Sequence, residues 1–272
     1  MKIAIQGLEG SFHHEAAVRM LGPTIDILPC ATFRDVFAAV KQGTADQGVV
    51  AIENNLHGSI NAVYRLLAGN SVWVRGEVTL HINQFLIAAD ERPMDSIKTV
   101  MSQAPAIAQC ELWLEENMPE ARIEETRDTT ASVQYVVTHP DEPLAAIAGK
   151  DAAETYGGTI LTGPINDDEH NYTRFFLLGK EKNHVSGATK TSIILETNHQ
   201  PAALYNALGA FAKAGINLSK LDSHPIANDQ KHYAFYIDFE AGLNEQLEHD
   251  IFDVLRAQGC NITVLGSYKT AD

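Results

Sequence analysis

Residues 2–67 alternate between short apolar strand patterns and amphipathic helix patterns, and this alternation limits the chain to few architectures. Residues 48–52 form a continuous apolar run, as in a strand that is buried on both faces. In residues 33–40 the apolar positions recur at i, i+3, i+4 and i+7, which is the spacing of one helix face. The alternation predicts a mainly parallel sheet that is covered by helices.

A change of period at residues 77–89 predicts that the chain passes into a second lobe. Apolar and polar residues alternate there one by one, as in a long strand. The α/β pattern then repeats, and a further strand pattern at 172–178 returns the chain to the first lobe. Ligands of open α/β sheets bind in crevices between such units. We therefore predict a two-lobed α/β domain with a cleft over residues 1–182, its lobes at 1–77 plus 164–182 and at 78–163.

A second unit is predicted after the polar segment 180–190, which contains glycine and lacks apolar periodicity. Strand and helix patterns then follow in the order βαββαβ, which is typical of a ferredoxin-like sandwich over residues 188–272. The chain of 272 residues is long enough for two units, because ordinary domains cluster at roughly 100–150 residues.

Charge excludes two classes of partner. The 35 acidic residues outnumber the 20 basic residues, and the net charge of −15 repels nucleic acids and anionic membranes. We therefore expect neither nucleic acid nor membrane as a partner. No apolar run approaches the roughly 20 residues that span a bilayer.

Cysteine, histidine and glycine spacing predicts neither a metal site nor a cofactor. The cysteines at 30, 110 and 260 lack CxxC spacing, so we expect no disulfide or zinc framework and a reduced, cytoplasmic location. The eleven histidines show no HExxH or comparable spacing. Gly7 and Gly10 lack the third glycine of the GxGxxG dinucleotide fingerprint.

Two junctions between strand and helix carry residues suited to an anion. Gly7–Ser11 precedes a helix whose free N–H groups favour a carboxylate or phosphate, although a simple tight turn is the alternative. Residues 53–59 follow the buried strand, and Asn54 and Asn55 there donate hydrogen bonds without needing a counter-charge. Partial desolvation of Glu53 would keep a proton on it closer to neutral pH. The alternative for this junction is a set of capping and turn residues.

The segment 171–176 places a hydroxyl, a guanidinium and aromatic rings on one strand. Arg174 is suited to hold a carboxylate through two parallel hydrogen bonds. Thr173 and Arg174 point to opposite faces of a regular strand, so they share a site only at a bend or a strand end. The alternative is an exposed arginine beside two core phenylalanines, Phe175 and Phe176.

Four motifs in order resemble those of the prephenate dehydratase family, and the likeness covers nearly the whole chain. The family patterns GPxGTFSHxAA, IENSxxGxVxxxxDLL, STAxA and N-x-TRF correspond to residues 7–17, 52–67, 128–132 and 171–179. The C-terminal residues resemble the ACT domain, with 202–225 matching its GAL and ESRP signatures. The resemblance implies a two-lobed dehydratase domain, similar to periplasmic binding proteins, followed by a ferredoxin-like ACT domain.

The resemblance also implies a reaction: loss of water and carbon dioxide from prephenate gives phenylpyruvate in phenylalanine biosynthesis, without a cofactor. Thr173 matches the family's essential threonine and would hydrogen-bond the departing hydroxyl. Because a threonine hydroxyl is too weak an acid to supply a proton alone, we assign Glu53 as proton source. Asn54 completes the predicted catalytic group. The predicted substrate-binding residues are Arg174, Phe175, Ser11, Asn55, Ser102, Gln109 and Thr129.

For the C-terminal unit, the resemblance implies L-phenylalanine as an allosteric ligand and a homodimer or homotetramer. The matching effector positions are Ala202, Ala203, Leu204, Asp222, Ser223, His224 and Pro225. Ala202 replaces the glycine of GAL, and Asp222 and His224 replace the acidic and basic residues of ESRP. A shorter carboxylate and a largely neutral imidazole change the expected pocket.

Two alternatives to prephenate dehydration remain open. An arogenate dehydratase would use the same chemistry on an amino-bearing side chain. A non-catalytic two-lobed sensor would bind a small anion in the same cleft, but it has no need for Thr173 beside Arg174.

Overall fold

A computed structural model describes residues 1–69, 72–182, 185–198, 200–226 and 229–271. Side chains are described at all of these positions except 225–226 and 229–232. The strands are β1 Lys2–Gln6, β2 Asp26–Cys30, β3 Gln47–Asn54, β4 Gly58–Ser59, β5 Trp73–His81, β6 Phe85–Ala88, β7 Thr99–Gln103, β8 Arg122–Thr126, β9 Leu144–Ala148, β10 Thr159–Thr162, β11 Tyr172–Gly179, β12 Lys190–Glu196, β13 Leu218–Ile226, β14 Asp229–Phe239 and β15 Asn261–Ala271.

The helices lie between these strands. They are α1 Phe12–Leu21, α2 Phe33–Gln42, α3 Asn61–Ala68, α4 Ala104–Ala108, α5 Glu111–Asn117, α6 Thr129–Thr138, α7 Lys150–Tyr156, α8 Ala203–Lys213, α9 Glu245–Leu247 and α10 Val254–Ala257. A π-helical segment, Glu248–Asp253, joins the last two, and a 3-10 turn lies at Met94–Ser96. Within the described ranges, no helix has the length and apolar character needed to cross a membrane.

Two sheets organise these elements. The larger has the order β13-β14-β12-β15-β5-β11-β3-β1-β2, with β4 paired to β3, and the smaller has the order β10-β6-β9-β7-β8. The predicted α/β class is confirmed. The expectation of a mainly parallel sheet holds for β1, β2 and β3, but β11 runs antiparallel to both of its neighbours, β3 and β5. The returning strand enters between first-lobe strands and therefore makes the sheet mixed.

The chain first crosses between the sheets a few residues later than the sequence suggested. β5 stays in the larger sheet as far as His81, and β6 of the smaller sheet begins at Phe85. The chain returns between Thr162 and Tyr172. The first crossing thus lies at 82–84 rather than at 77–78, whereas the second, at 163–171, includes the expected boundary at 163–164.

The C-terminal elements follow the predicted βαββαβ order, from β12 to β15. Their strands do not form a separate sheet, because Lys269–Ala271 of β15 pairs in parallel with Gly76–Val78 of β5. A Cβ at Gly266 would collide with the backbone carbonyl of Val74, so glycine permits this close approach. The two units therefore share one continuous sheet, which the sequence pattern did not indicate.

The two faces of β11 pack against different neighbours. Phe175 belongs to the apolar core that includes Ile3 and Ile5 and packs under α1. Phe176 belongs to the core on the other face, where Tyr268 of the C-terminal unit is also buried. One face of β11 therefore packs within the first lobe, and the other packs against both α2 and α3 of the first lobe and the C-terminal unit.

Ala202 adopts a left-handed backbone conformation, with φ 63°, at the N-cap of α8. A Cβ makes this conformation costly by about 1–2 kcal/mol, whereas glycine adopts it readily. We predict that Ala202→Gly raises the free energy of unfolding by about 0.5–1 kcal/mol, because the added freedom of unfolded glycine offsets part of the gain. Urea denaturation of both proteins measures the difference. A less stable variant would show that contacts of the alanine methyl outweigh the backbone strain.

Candidate active site

A cleft of about 690 Å³ lies between the two lobes. The first lobe contributes the start of α1, the end of β3, the β4 hairpin and β11, and the second lobe contributes the starts of α4 and α6. Six of the predicted site residues line it: Ser11, Asn54, Gln109, Thr129, Thr173 and Phe175. The fold thus brings residues distant in sequence to one cavity, and their individual roles stay predictions.

Asn54 orients the hydroxyl of Thr173. Its Nδ2 donates to Thr173 Oγ1 at 2.9 Å and to Asn171 Oδ1 at 2.7 Å. Its Oδ1 accepts the backbone N–H groups of Leu56 and His57, each at 3.0 Å. Asn54 is 7 % exposed, and a flipped amide would set its NH2 against two N–H donors, so its orientation is determined. Because Thr173 Oγ1 accepts from Asn54, its own hydrogen remains available to a ligand.

The strand register brings this pair together. Thr173 lies opposite Asn54 in the antiparallel ladder between β11 and β3. Directly opposed residues of an antiparallel pair project to the same face, and here that face is the cleft. The hairpin that follows β3 turns at Gly58, with φ 77°, and brings residues 57–60 into the cleft wall.

Arg174 lies on the opposite face of β11, so the predicted substrate clamp is not formed. Its Nε donates to Glu77 Oε2 and its NH1 to Asp238 Oδ2, both at 2.6 Å. Its NH2 donates to the hydroxyl of Tyr268 at 3.2 Å. The side chain is only 12 % exposed. The prediction is wrong because β11 keeps its alternation here, so Thr173 and Arg174 separate.

These ion pairs join the two units. Burial disfavours the charge of Glu77, but Arg174 and Lys190 outweigh burial and lower the pKa of Glu77 below its ordinary value. Burial also disfavours the charge of Arg174, yet the neighbouring carboxylates raise its pKa above the ordinary value. Lys190 Nζ lies 2.7 Å from Glu77 Oε1. The guanidinium therefore stays charged and holds β11 to the C-terminal unit.

Glu53 also lies on the back face of the sheet, away from the cleft. Its Oε2 accepts from Lys220 Nζ at 2.6 Å and lies 3.7 Å from Arg174 NH1. Neighbouring strand residues face opposite sides, so the inward position of Asn54 places Glu53 outward. The assignment of Glu53 as proton source is therefore wrong for this arrangement.

Asn55 and Ser102 bond to backbone outside the cleft lining. Asn55 Oδ1 accepts from the N–H of Tyr172 at 2.6 Å, and its Nδ2 donates to the carbonyl of His170. Ser102 is fully buried and donates to the carbonyl of Ile147 at 2.6 Å. Their predicted substrate contacts are thus not formed, because these side chains hold the local backbone instead.

The cleft also contains polar residues that the sequence analysis missed: His13, His57, Gln84, Gln103 and Asp128. Gln103 follows Ser102 on β7 and faces the other way, so Gln103 lines the cleft and Ser102 does not. Gln84 lies between the lobes, and its Nε2 donates to Gln109 Oε1 at 3.1 Å. The family pattern GPxGTFSHxAA has serine where this chain has His13. That difference was the sequence signal for the place of this histidine in the cleft.

His13 is a neutral part of the cleft wall. Its Nε2 accepts the backbone N–H of Ala51 at 3.2 Å, and its ring packs edge-on against Phe175 at 5.2 Å. Burial lowers the pKa of His13 to about 4. At neutral pH the imidazole is therefore uncharged, and its hydrogen lies on Nδ1 because Nε2 is an acceptor.

We predict that His13 makes the protein less stable as the pH falls from about 6.5 to 4, because an unfolded histidine titrates near 6.5 and the folded one near 4. In that window the unfolded chain binds more protons. The contribution of neutral His13 to the free energy of unfolding is fully present above pH 6.5 and amounts to at most about 3 kcal/mol. It is lost as the pH falls through the folded pKa. Denaturation of the natural protein and of His13→Gln across this range measures it. Parallel pH dependence in both proteins would contradict the prediction.

The lining described for the cleft contains no lysine or arginine, and its one acidic side chain, Asp128, caps α6, so the donors that an anionic ligand meets are neutral. The first residues of α1, α4 and α6 belong to this lining. Helix N-termini offer unpaired N–H groups and favour an anion by about 0.3–1 kcal/mol each. The carboxylate of Asp128 already caps α6, accepting from Ala131 N at 2.8 Å, whereas α4 begins without a side-chain cap. In the first turn of α4, Pro105 has no N–H, so Ala104 and Ala106 carry the backbone donors there.

The glycine loop predicted to bind an anion also brings the lobes together. Gly7 has φ 94°, and a Cβ there would lie 2.6 Å from Asp128 Oδ2 of the second lobe. Glycine is thus required both by the backbone conformation and by the approach of the lobes.

The predicted effector residues occupy two places. Ala202 caps α8, where Ala203 and Leu204 begin the helix, and Ala203 lines a small cavity of about 180 Å³. Asp222 is turned toward the first lobe, where its Oδ2 accepts from Ser59 Oγ at 2.6 Å, and His224 Nε2 lies 3.1 Å from the same oxygen. Ser223 is exposed. The side chain of Pro225 lies outside the described residues.

The sequence is similar to known proteins along its whole length. The prephenate dehydratase family matches residues 3–183. A bifunctional chorismate mutase/prephenate dehydratase of Aquifex aeolicus is 34 % identical over 271 residues, covering 100 % of this chain and 74 % of the relative. Arogenate dehydratase 2 of Petunia hybrida is 32 % identical over 289 residues, covering 99 % of this chain and 72 % of the relative.

Among solved structures, the prephenate dehydratase of Arthrobacter aurescens in complex with L-Phe matches with a TM-score of 0.87 at 29 % identity, covering 100 % of this chain and 91 % of the other. The fold and the cleft thus define a two-lobed α/β protein with a candidate ligand site between the lobes. The chain belongs to the prephenate dehydratase family.

Proposed function

We propose that the chain is a hydro-lyase that converts prephenate to phenylpyruvate, with loss of water and carbon dioxide, in phenylalanine biosynthesis. The observation that carries the proposal is the hydrogen bond from Asn54 Nδ2 to Thr173 Oγ1, inside a cleft lined by neutral donors. Family membership supplies the reaction class.

Thr173 acts on the leaving group in this proposal. Aromatisation drives the reaction, so the protein has to hold the ring carboxylate in place and help the ring hydroxyl to depart. The Thr173 hydroxyl, held by Asn54, donates its hydrogen bond to the departing oxygen. Because threonine is too weak an acid to give up a proton alone, it positions or relays the proton. With Glu53 on the back face, the titratable side chains of the described lining are His13, His57 and Asp128.

The two carboxylates of prephenate are held without a counter-charge. Open N–H groups at the start of α4 and α1, together with the amides of Gln103 and Gln109, supply donors along the cleft. Such fixed dipoles need no reorganisation when charge shifts during the reaction.

Residues 188–272 act, in this proposal, as an ACT regulatory domain that binds L-phenylalanine and assembles the protein into a homodimer or homotetramer in the cytoplasm. The βαββαβ order supports this, and so does the L-Phe complex of the Arthrobacter aurescens protein. Bound phenylalanine is expected to raise the melting temperature by linkage, and an unchanged melting temperature at millimolar phenylalanine would count against this site.

One assay tests the reaction and its alternatives together. The purified chain is given prephenate or arogenate in buffer without added cofactor, and phenylpyruvate or phenylalanine is measured. We expect phenylpyruvate from prephenate. Faster turnover of arogenate than of prephenate would show that the chain is an arogenate dehydratase, like the Petunia relative. Tight binding of prephenate without any product would show that the chain is a sensor.

A further inference from the structure

The back of the β3–β4 hairpin is bonded to the C-terminal unit by two charged side chains. Lys220 Nζ donates to Glu53 Oε2 at 2.6 Å and to Ser59 Oγ at 3.0 Å. Ser59 Oγ in turn donates to Asp222 Oδ2 at 2.6 Å. Lys220 is 11 % exposed, so this bridge is largely shielded from water and salt.

This bridge holds both strands of the hairpin. Glu53 and Ser59 lie opposite each other in the pairing of β3 with β4, and Asn54 lies opposite Gly58. Opposed residues share a face, which places Glu53 and Ser59 together toward the C-terminal unit. Lys220 also lies over the ring of Tyr64 at 5.4 Å, which limits its movement.

The hairpin determines how Asn54 presents its amide. The Oδ1 of Asn54 accepts from the backbone of Leu56 and His57 within the turn, and its Nδ2 holds Thr173 Oγ1. A shift of the turn would therefore rotate the amide and release the threonine hydroxyl. The contacts run without a break from Lys220 to the reacting end of the cleft.

We propose that Lys220 and Asp222 are positioning residues for the dehydration: they hold the β3–β4 hairpin from behind and, through Asn54, keep the Thr173 hydroxyl aimed into the cleft. This inference rests on the proposed function. It gives Asp222 a role in the basal reaction that is separate from effector binding. The C-terminal unit thereby supports the cleft wall from behind even when no effector is present.

The test compares Lys220→Met with Lys213→Met, which changes an exposed lysine of the same unit. We expect Lys220→Met to lower kcat about fivefold to twentyfold with KM within twofold, because misplaced groups mainly slow the chemical step. Lys213→Met should match the natural protein, and Lys220→Arg, which keeps the charge, should recover part of kcat. In an Asn54→Ala background, Lys220→Met should lower kcat less than twofold further, since the two act in series.

A second readout does not depend on turnover. Hydrogen exchange of peptide amides in residues 53–60 should be faster in Lys220→Met than in Lys213→Met. If Lys220→Met does not fold, the isosteric Asp222→Asn is measured in the same two ways. Unchanged kcat and unchanged exchange, or an undiminished loss in the Asn54→Ala background, would overturn the proposal. If the natural protein turns over no prephenate, the proposed function fails, and exchange alone then decides whether the bridge holds the hairpin.

Discussion

Thr173→Ala is expected to lose most of the prephenate turnover, about 100-fold in kcat, with a much smaller change in KM. The hydroxyl contacts the departing oxygen mainly in the transition state, and removal of one such donor typically costs 10²–10³-fold. Alanine keeps the strand and the neighbouring cores, so binding through the helix N-termini persists. Steady-state kinetics with prephenate measures both constants.

Thr173→Ser is the matched control for this change. Serine keeps an oxygen that can accept from Asn54 Nδ2 and donate into the cleft, so we expect kcat within about tenfold of the natural protein. Equal turnover by Thr173→Ala and the natural protein would remove Thr173 from the mechanism.

Arg174→Met is expected to destabilise the protein by about 3–5 kcal/mol, because Glu77 and Asp238 would be left as buried carboxylates with fewer partners. These two side chains are 3 % and 6 % exposed, so water compensates little for the loss. Guanidinium denaturation of the full chain measures the effect. For the folded fraction we expect little change in KM, since Arg174 lies outside the cleft.

Arg122→Met is the matched control, because Arg122 is 76 % exposed and its nearest carboxylate lies 3.8 Å away. Such a surface change should alter the free energy of unfolding by less than about 1 kcal/mol. A large rise in KM for Arg174→Met, without loss of stability, would return Arg174 to substrate binding. If Arg174→Met does not fold, Arg174→Lys provides the same comparison.

The sequence was most informative where structure is local. Periodicity in residues 33–40 predicted α2, and the family patterns located the loops that meet in the cleft. The pairing of β15 with β5 could not be predicted in this way, because it joins residues that are nearly 200 positions apart and depends on the small volume of Gly266.

The errors at Glu53 and Arg174 share one physical cause. Motifs name neighbouring residues, but a strand sends neighbours to opposite faces. Asn54 and Thr173 face the cleft, whereas Glu53 and Arg174 face the C-terminal unit. The choice of face depends on what packs behind the sheet, and the sequence pattern did not show that charged residues of the C-terminal unit lie there.

The central claim is that neutral donors around Asn54 and Thr173 hold the substrate while Arg174 remains in its ion pairs. A crystal structure of Thr173→Ala soaked with prephenate tests this most directly. We expect the substrate ring next to residue 173, with the carboxylates at the helix N-termini and Arg174 still bonded to Glu77 and Asp238. A substrate carboxylate bound to Arg174 would contradict it.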